Sequence, residues 1–87
     1  MNRTVIWEDG AVEQMLSLSA RNRNQAQRIQ RAVRQFARSG DGDVKKLAGA
    51  GNEWRLRVGD WRVRFTLWED GAELHVLAVA LRRDAYR

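Results

Sequence analysis

The sequence predicts an α+β domain with two helices packed on one face of a mostly antiparallel sheet. Three observations carry this: a β-branched run near the start (RTVIW), two stretches of helical apolar spacing between residues 10 and 38, and three alternating runs in the C-terminal half separated by short Gly- and Asp-containing turns. The expected order is an N-terminal strand, a helical hairpin and a three-stranded antiparallel meander. With 87 residues the chain is read as a single domain over 1–87, which buries roughly 60% of the surface its unfolded form exposes. There is room for one thin core.

Residues 3–7 form the first strand. Asp9 follows as the expected N-cap, with Glu13 in the first turn where the helix dipole favours an acid. Val12, Met15 and Leu16 place a short amphipathic helix over 10–19. The SARNRN segment interrupts the pattern. Ala26, Ile29, Val33, Phe36 and Ala37 then define a second helix over about 22–38, whose other face carries Arg28, Arg31, Arg34 and Arg38. The glycines of SGDGD end it. VKKLAGAGN reads as a loop. Strands are expected at 53–58, 61–68 and 73–80, joined by Gly59-Asp60 and by Glu69-Asp70-Gly71-Ala72. The last strand, apolar on both faces, is expected to be central. The chain has no proline, so its turns rest on Gly, Asn and Asp.

Composition narrows the chemistry. There is no cysteine, which removes disulfides and thiolates and suits a reducing compartment. One histidine does not make a dedicated zinc site, and no cofactor is expected. No apolar run approaches the ~20 residues of a membrane span, and MNRTVIWEDG lacks the apolar stretch of a signal peptide, so the expected location is the cytoplasm. Sixteen Lys and Arg against eleven Asp and Glu give a net charge of +5. That balance favours polyanion partners, nucleic acid or an acidic protein, and also describes an ordinary solvated basic surface.

The segment WRLRVGDWRVRF concentrates this charge. With a two-residue Gly59-Asp60 loop, Val58 pairs with Trp61, Leu56 with Val63 and Trp54 with Phe65, and these six side chains share the core face. The same register sets Arg57 opposite Arg62 and Arg55 opposite Arg64 on the other face. Like charges directly opposite one another destabilise a sheet by up to about 1 kcal/mol per pair. Two such pairs point to an anion between them, the alternatives being stems splayed into solvent or nearby acids that neutralise them. In the second hairpin Trp68 is expected opposite Glu73, Thr66 opposite His75 and Arg64 opposite Leu77. His75 then borders the arginines, and Trp68 either stacks on a base or covers a sheet edge. RRDAYR closes the chain as a basic tail of Arg82, Arg83 and Arg87 around its only tyrosine, Tyr86.

The hairpin, the KKLAG segment before it, the apolar last strand and the RRDAYR tail together resemble the RelE/ParE superfamily of type II toxin–antitoxin toxins. The resemblance covers essentially the whole chain, and the hairpin and tail carry it. It implies a microbial RNase-like fold and a cognate acidic antitoxin. RelE-type toxins cleave mRNA in the ribosomal A site, whereas the ParE branch inhibits DNA gyrase. By this resemblance Arg55 and Arg57 occupy the place of a basic pair that is usually lysine. Arg62 matches the basic residue after the hairpin aromatic, Arg82 the arginine after the last strand, and Tyr86 the catalytic tyrosine. Lys46 falls where a phosphate-contacting base is often found. Two departures stand out: arginine replaces the lysine pair, and Ala80-Leu81-Arg82 replaces the usual Gly-(His or Lys)-Arg.

Metal-free RNA cleavage needs a base for the 2′-hydroxyl, cations for the charged transition state and an acid for the 5′-oxygen. Arginine forks onto phosphate and stays charged, so it serves the second role and cannot be the base. Tyr86 is the candidate base, since surrounding cations favour phenolate. The acid is open among Arg82, His75 and solvent. The candidate catalytic set is therefore Tyr86, Arg62, Arg82, Arg57 and Arg55, with Arg64, Lys45, Lys46, Arg83, Arg87 and His75 as substrate-binding residues. A ribosome-dependent mRNA endonuclease toxin is the leading reading. A gyrase inhibitor without nuclease activity and a non-catalytic basic module are the alternatives.

Overall fold

The structure is a computed structural model that describes residues 2–49 and 51–82. Two helices pack on one face of a five-stranded sheet, in the order β1 (Thr4–Trp7), α1 (Asp9–Arg21), α2 (Arg23–Ser39), β2 (Asp43–Lys46), β3 (Glu53–Val58), β4 (Trp61–Trp68) and β5 (Glu73–Leu81). The sheet order is β1-β5-β4-β3-β2. β1 runs parallel to β5 and the other pairs are antiparallel. The α+β class and the helical hairpin are as expected, and β5 has a neighbour on each side.

The meander has four strands rather than three. Asp43–Lys46, expected as loop, pairs antiparallel with β3. Its single apolar residue, Val44, lies opposite Leu56 and packs against the core, while both lysines remain exposed. A charged edge strand of this length resists further strand addition, and it offers almost no alternation for a sequence reading to detect.

α1 is longer at both ends than its apolar spacing indicates, α2 has the expected length, and only Asn22 separates them. The Asn22 N–H donates to the Leu18 carbonyl at 2.6 Å, closing α1. Its side chain accepts from the Gln25 N–H at 3.1 Å, opening α2. At the start of α1 the N-cap is Glu8 rather than Asp9, and Glu8 makes no side-chain capping bond. That carboxylate is engaged by His75 instead. α2 ends at Gly40, whose φ of +82° is the left-handed conformation glycine adopts without strain.

Ile29, Val33, Phe36 and Ala37 of α2 bury against Leu56, Val63 and Phe65 from the sheet and against Leu74, Val76 and Val79 of β5. The Phe36 and Phe65 rings meet at 5.3 Å. β1 ends at Trp7, leaving the upper edge of β5 uncovered by any strand, and α1 takes its place. The Val79 N–H donates to Gln14 Oε1 at 2.6 Å, so a helix side chain satisfies a strand donor that would otherwise be stranded.

Candidate functional site

The first hairpin has the expected register. Val58 pairs with Trp61, Arg57 with Arg62, Leu56 with Val63, Arg55 with Arg64 and Trp54 with Phe65. Gly59, with φ +60°, takes the first central position of the two-residue turn, where a type II′ bend needs glycine. All four arginines therefore stand on the open face of the sheet, opposite the helices.

In the second hairpin Trp68 pairs with Glu73 and Thr66 with His75, again as expected. The expected pairing of Arg64 with Leu77 is corrected. A bulge skips Leu77 and sets Arg64 opposite Ala78. The bulge keeps both Val76 and Val79 buried, so the odd spacing of these two valines is the sequence trace of the irregularity. Ala78 and Ala80, opposite Arg64 and Arg62, leave room for the long guanidinium side chains.

Acids not included in the sequence-based site sit among the arginines. Glu53, at the start of β3, accepts two bonds from Arg64, from Nη2 at 2.8 Å and Nε at 3.2 Å. This fork raises the Arg64 pKa above its ordinary value, with partial burial opposing. Asp43 of β2 accepts from Arg55 Nη1 through its side chain at 3.3 Å and its carbonyl at 3.1 Å. Arg55 and Arg64 are thus compensated within the fold. Glu53 stands two residues before Arg55 and could have been placed on this face by alternation. Asp43 was hidden because its segment read as loop.

The other cations gather at the Gly59–Asp60 end. Arg57 is exposed, and its Nε donates to the Gly59 carbonyl at 3.3 Å. Arg62, opposite it, is only 8% exposed. The Arg82 N–H donates to the Asp60 carbonyl at 2.7 Å, fixing Arg82 beside the same turn. Tyr86, Arg83 and Arg87 lie outside the described residues.

The remaining expected site residues separate. Lys45 lies opposite Arg55 and shares the open face. Lys46 lies opposite Trp54 on the helix-side face, with its ammonium 5.6 Å from the indole centroid. His75 stands four β4 residues along from the Arg62 position, about 13 Å at strand spacing. Both its ring nitrogens face carboxylates, Nδ1 to Glu8 Oε1 at 2.9 Å and Nε2 to Glu73 Oε1 at 3.0 Å. The bond to Glu8, then that to Glu73, raises its pKa above the ordinary imidazole value. Trp68 packs edge-on against His75 at 6.0 Å and donates through Nε1 to Thr66 Oγ1 at 2.8 Å. That contact occupies the indole edge at the rim of the sheet. No cluster of ligating side chains able to hold a metal ion occurs among the described residues.

The profile of the ParE toxin family of type II toxin–antitoxin systems (parDE) matches residues 5–86. The chain belongs to this family. The toxin's fold is shared by RelE of the archaeal RelE–RelB complex from Pyrococcus horikoshii, at 25% identity and a TM-score of 0.73, covering 94% of this chain and 97% of that one. It is also shared by a YoeB/ParE toxin from Agrobacterium tumefaciens, at 15% identity and a TM-score of 0.76, covering 90% and 97%. The RelBE2 toxin–antitoxin complex from Mycobacterium tuberculosis aligns at 19% identity and a TM-score of 0.74, covering 94% and 100%. The toxin's sequence matches no curated protein. No helix among its described residues is long and apolar enough to cross a membrane.

Proposed function

We propose that this toxin is a ribosome-dependent mRNA endonuclease that acts in the cytoplasm and seats the scissile phosphate at the Gly59–Asp60 end of its open sheet face. The observation that carries the reading is Arg57 directly opposite Arg62, with Arg82 held beside the same turn. A phosphate between two facing guanidiniums accepts charge-assisted hydrogen bonds from both.

In the proposed reaction the RNA 2′-hydroxyl gives its proton to the Tyr86 phenolate. The 2′-oxygen bonds to the adjacent phosphorus as the bond to the 5′-oxygen breaks. The products are a 2′,3′-cyclic phosphate and a 5′-hydroxyl, the latter taking its proton from the acid. Arg57 and Arg62 stabilise the charge that builds on the phosphoryl oxygens. Tyr86 follows Arg82 by four positions, at most ~14 Å of chain. His75 is too far along the sheet to protonate the same leaving group and is already committed to two carboxylates, so the proton comes from solvent, with Arg82 donating a hydrogen bond to the leaving 5′-oxygen while keeping its charge. Lys45, Arg83 and Arg87 are proposed to hold flanking phosphates. Arg55 and Arg64, braced by Asp43 and Glu53, shape the wall of the site.

A cognate acidic antitoxin is part of the proposal. Several structural neighbours are themselves toxin–antitoxin complexes. On the outer side of the helical hairpin, Trp7, Val12, Met15 and Leu16 line an apolar groove of about 400 Å³, with Leu16 66% exposed. Such a groove takes the apolar anchors of an amphipathic partner segment, whose acids would reach the basic face.

One alternative has its own support. The matching family is ParE, and two of the four face arginines already carry acid partners. Both facts suit a gyrase inhibitor that binds without cleaving. Incubating the purified toxin with mRNA and ribosomes, and separately with gyrase and supercoiled DNA, separates the two readings. Cuts in mRNA that depend on ribosomes and on Tyr86 support the nuclease. Uncut mRNA together with trapped gyrase–DNA cleavage overturns it.

A further inference from the structure

The toxin's net charge resides on a single helix. α2 contains Arg23, Arg28, Arg31, Arg34 and Arg38 and no Asp or Glu. Outside it, the remaining eleven Lys and Arg are matched by eleven Asp and Glu. As a sum over the chain, the excess of positive charge equals the five arginines of α2. The α2 arginines are all exposed, and none forms an ion pair among the described residues. Like charges three and four residues apart weaken a helix, and Arg23 in the first turn opposes the helix dipole. The helix carries this charge against its own stability.

The two basic surfaces meet at one turn. The Arg28 guanidinium approaches to 3.0 Å of the position a β-carbon on Gly59 would occupy, and Arg57 reaches the Gly59 carbonyl from the other side. Cations from α2 and β3 thus flank the Gly59–Asp60 bend, with Asp60 at the bend itself. From there Arg31, Arg34 and Arg38 continue along the outer face of α2. Arg31 to Arg38 spans about 10.5 Å of helix, some three nucleotides of one strand at 3.4 Å each.

We propose that the outer face of α2 is a second nucleic-acid contact, extending the sheet site around the Gly59–Asp60 turn and gripping the phosphate backbone without reading sequence. The exposed side chains of α2 between these arginines are Asn24, Gln27, Gln30 and Gln35; Gln27 and Gln30 border the groove that Val12 and Leu16 line, and no exposed large apolar residue stands on the Arg31, Arg34 and Arg38 face itself. A protein partner needs a buried apolar anchor, whereas a phosphate backbone needs only cations and polar donors. The composition of this face fits the second. The inference deepens the nucleic-acid reading of the sheet site, but its test does not depend on cleavage.

The probe is a fully 2′-O-methylated single-stranded RNA of about 20 nucleotides, which offers no 2′-hydroxyl for attack. Its binding is followed by fluorescence anisotropy across a range of salt concentrations. Replacing Arg31, Arg34 and Arg38 together by Gln is expected to weaken binding at least tenfold at low salt. The slope of log K against log salt should fall by about 2, since each single-strand phosphate contact contributes about 0.7. The triple Lys variant should keep the wild-type slope. Each single Gln variant should lose about 0.7, which preserves the test if the triple variant folds poorly. Unchanged affinity and slope overturn the proposal. So does a Gln variant that binds RNA normally but loses the co-expressed antitoxin, because the face is then a protein contact. A reduced slope in a toxin that cuts no mRNA leaves the α2 contact standing and removes only the nuclease.

Discussion

Arg64 forks onto Glu53 across the β3–β4 ladder, with Nη2 2.8 Å from Oε1 and Nε 3.2 Å from Oε2. The pair removes one cation from an otherwise repulsive face and braces it in place. Replacing Glu53 by Gln should cost about 0.5–1 kcal/mol, because the pair is partly exposed and solvent-screened. The freed Arg64 should add one phosphate contact, raising the salt slope for single-stranded RNA by about 0.7. Urea denaturation and anisotropy on the same variant check both effects. Lower stability with no gain in slope would mean that Arg64 does not border the nucleic-acid path.

His75 joins the end of β1 to β5 by donating to Glu8 and Glu73 at once, and only the imidazolium can donate from both nitrogens. Its pKa is raised in the folded chain. Its contribution to stability is therefore complete below the unfolded value of about 6.5 and fades as pH rises through the folded pKa. NMR titration of the ring should place its midpoint above 6.5. The stability difference between wild type and His75→Gln should shrink as pH climbs past that midpoint. A midpoint at or below 6.5 would rule out the double clasp.

Gly59 takes φ +60° at the tip of the hairpin that aligns the arginine pairs. Ala at this position should cost about 1–2 kcal/mol from the backbone alone. Its β-carbon would also press on the Arg28 guanidinium. Chemical denaturation gives the cost. RNA binding should weaken in the surviving folded fraction as Arg28 and Arg57 shift, and a neutral substitution would contradict the turn geometry.

The second hairpin holds Glu69 and Asp70 both at φ +55°, a left-handed pair that asks for glycine or asparagine. Glu69→Gly should relieve strain of about 1 kcal/mol, offset in part by the greater freedom of glycine in the unfolded chain. A rise in the urea midpoint checks it. A fall would mean that the turn is not strained at this residue.

Much of this was legible because the hairpin is governed by period-two alternation around a two-residue turn. Once Gly59-Asp60 was recognised as the bend, the pairing of Arg57 with Arg62 and of Arg55 with Arg64 followed. α2 was legible from Ile29, Val33 and Phe36, whose spacing survives in the core, whereas Val12 and Leu16, which mark α1 in the sequence, are exposed. Three features escaped. Asp43–Lys46 carries a single apolar residue, too few to show a period. The bulge at Leu77 leaves no trace but the odd Val76 to Val79 spacing, which a strand apolar on both faces masks. Asp43 and Glu53 reach Arg55 and Arg64 across strands and Glu8 reaches His75 from a helix start, so these partners are tertiary, whereas Glu73 sits two residues before His75 on the same strand. The charge of α2 is plain in the sequence, and its weight follows from the acid partners of Arg55 and Arg64.

The most direct test of the central claim, that Arg57, Arg62 and Tyr86 act together on an RNA phosphate, is mapping mRNA 5′ ends after inducible expression. Wild-type toxin should create new 5′-hydroxyl ends within translated messages. Arg57→Ala, Arg62→Ala and Tyr86→Phe should each abolish them and relieve growth arrest while the proteins remain folded. Growth arrest by wild type with no new mRNA ends, or undiminished cutting by the Tyr86→Phe and Arg62→Ala variants, would contradict it.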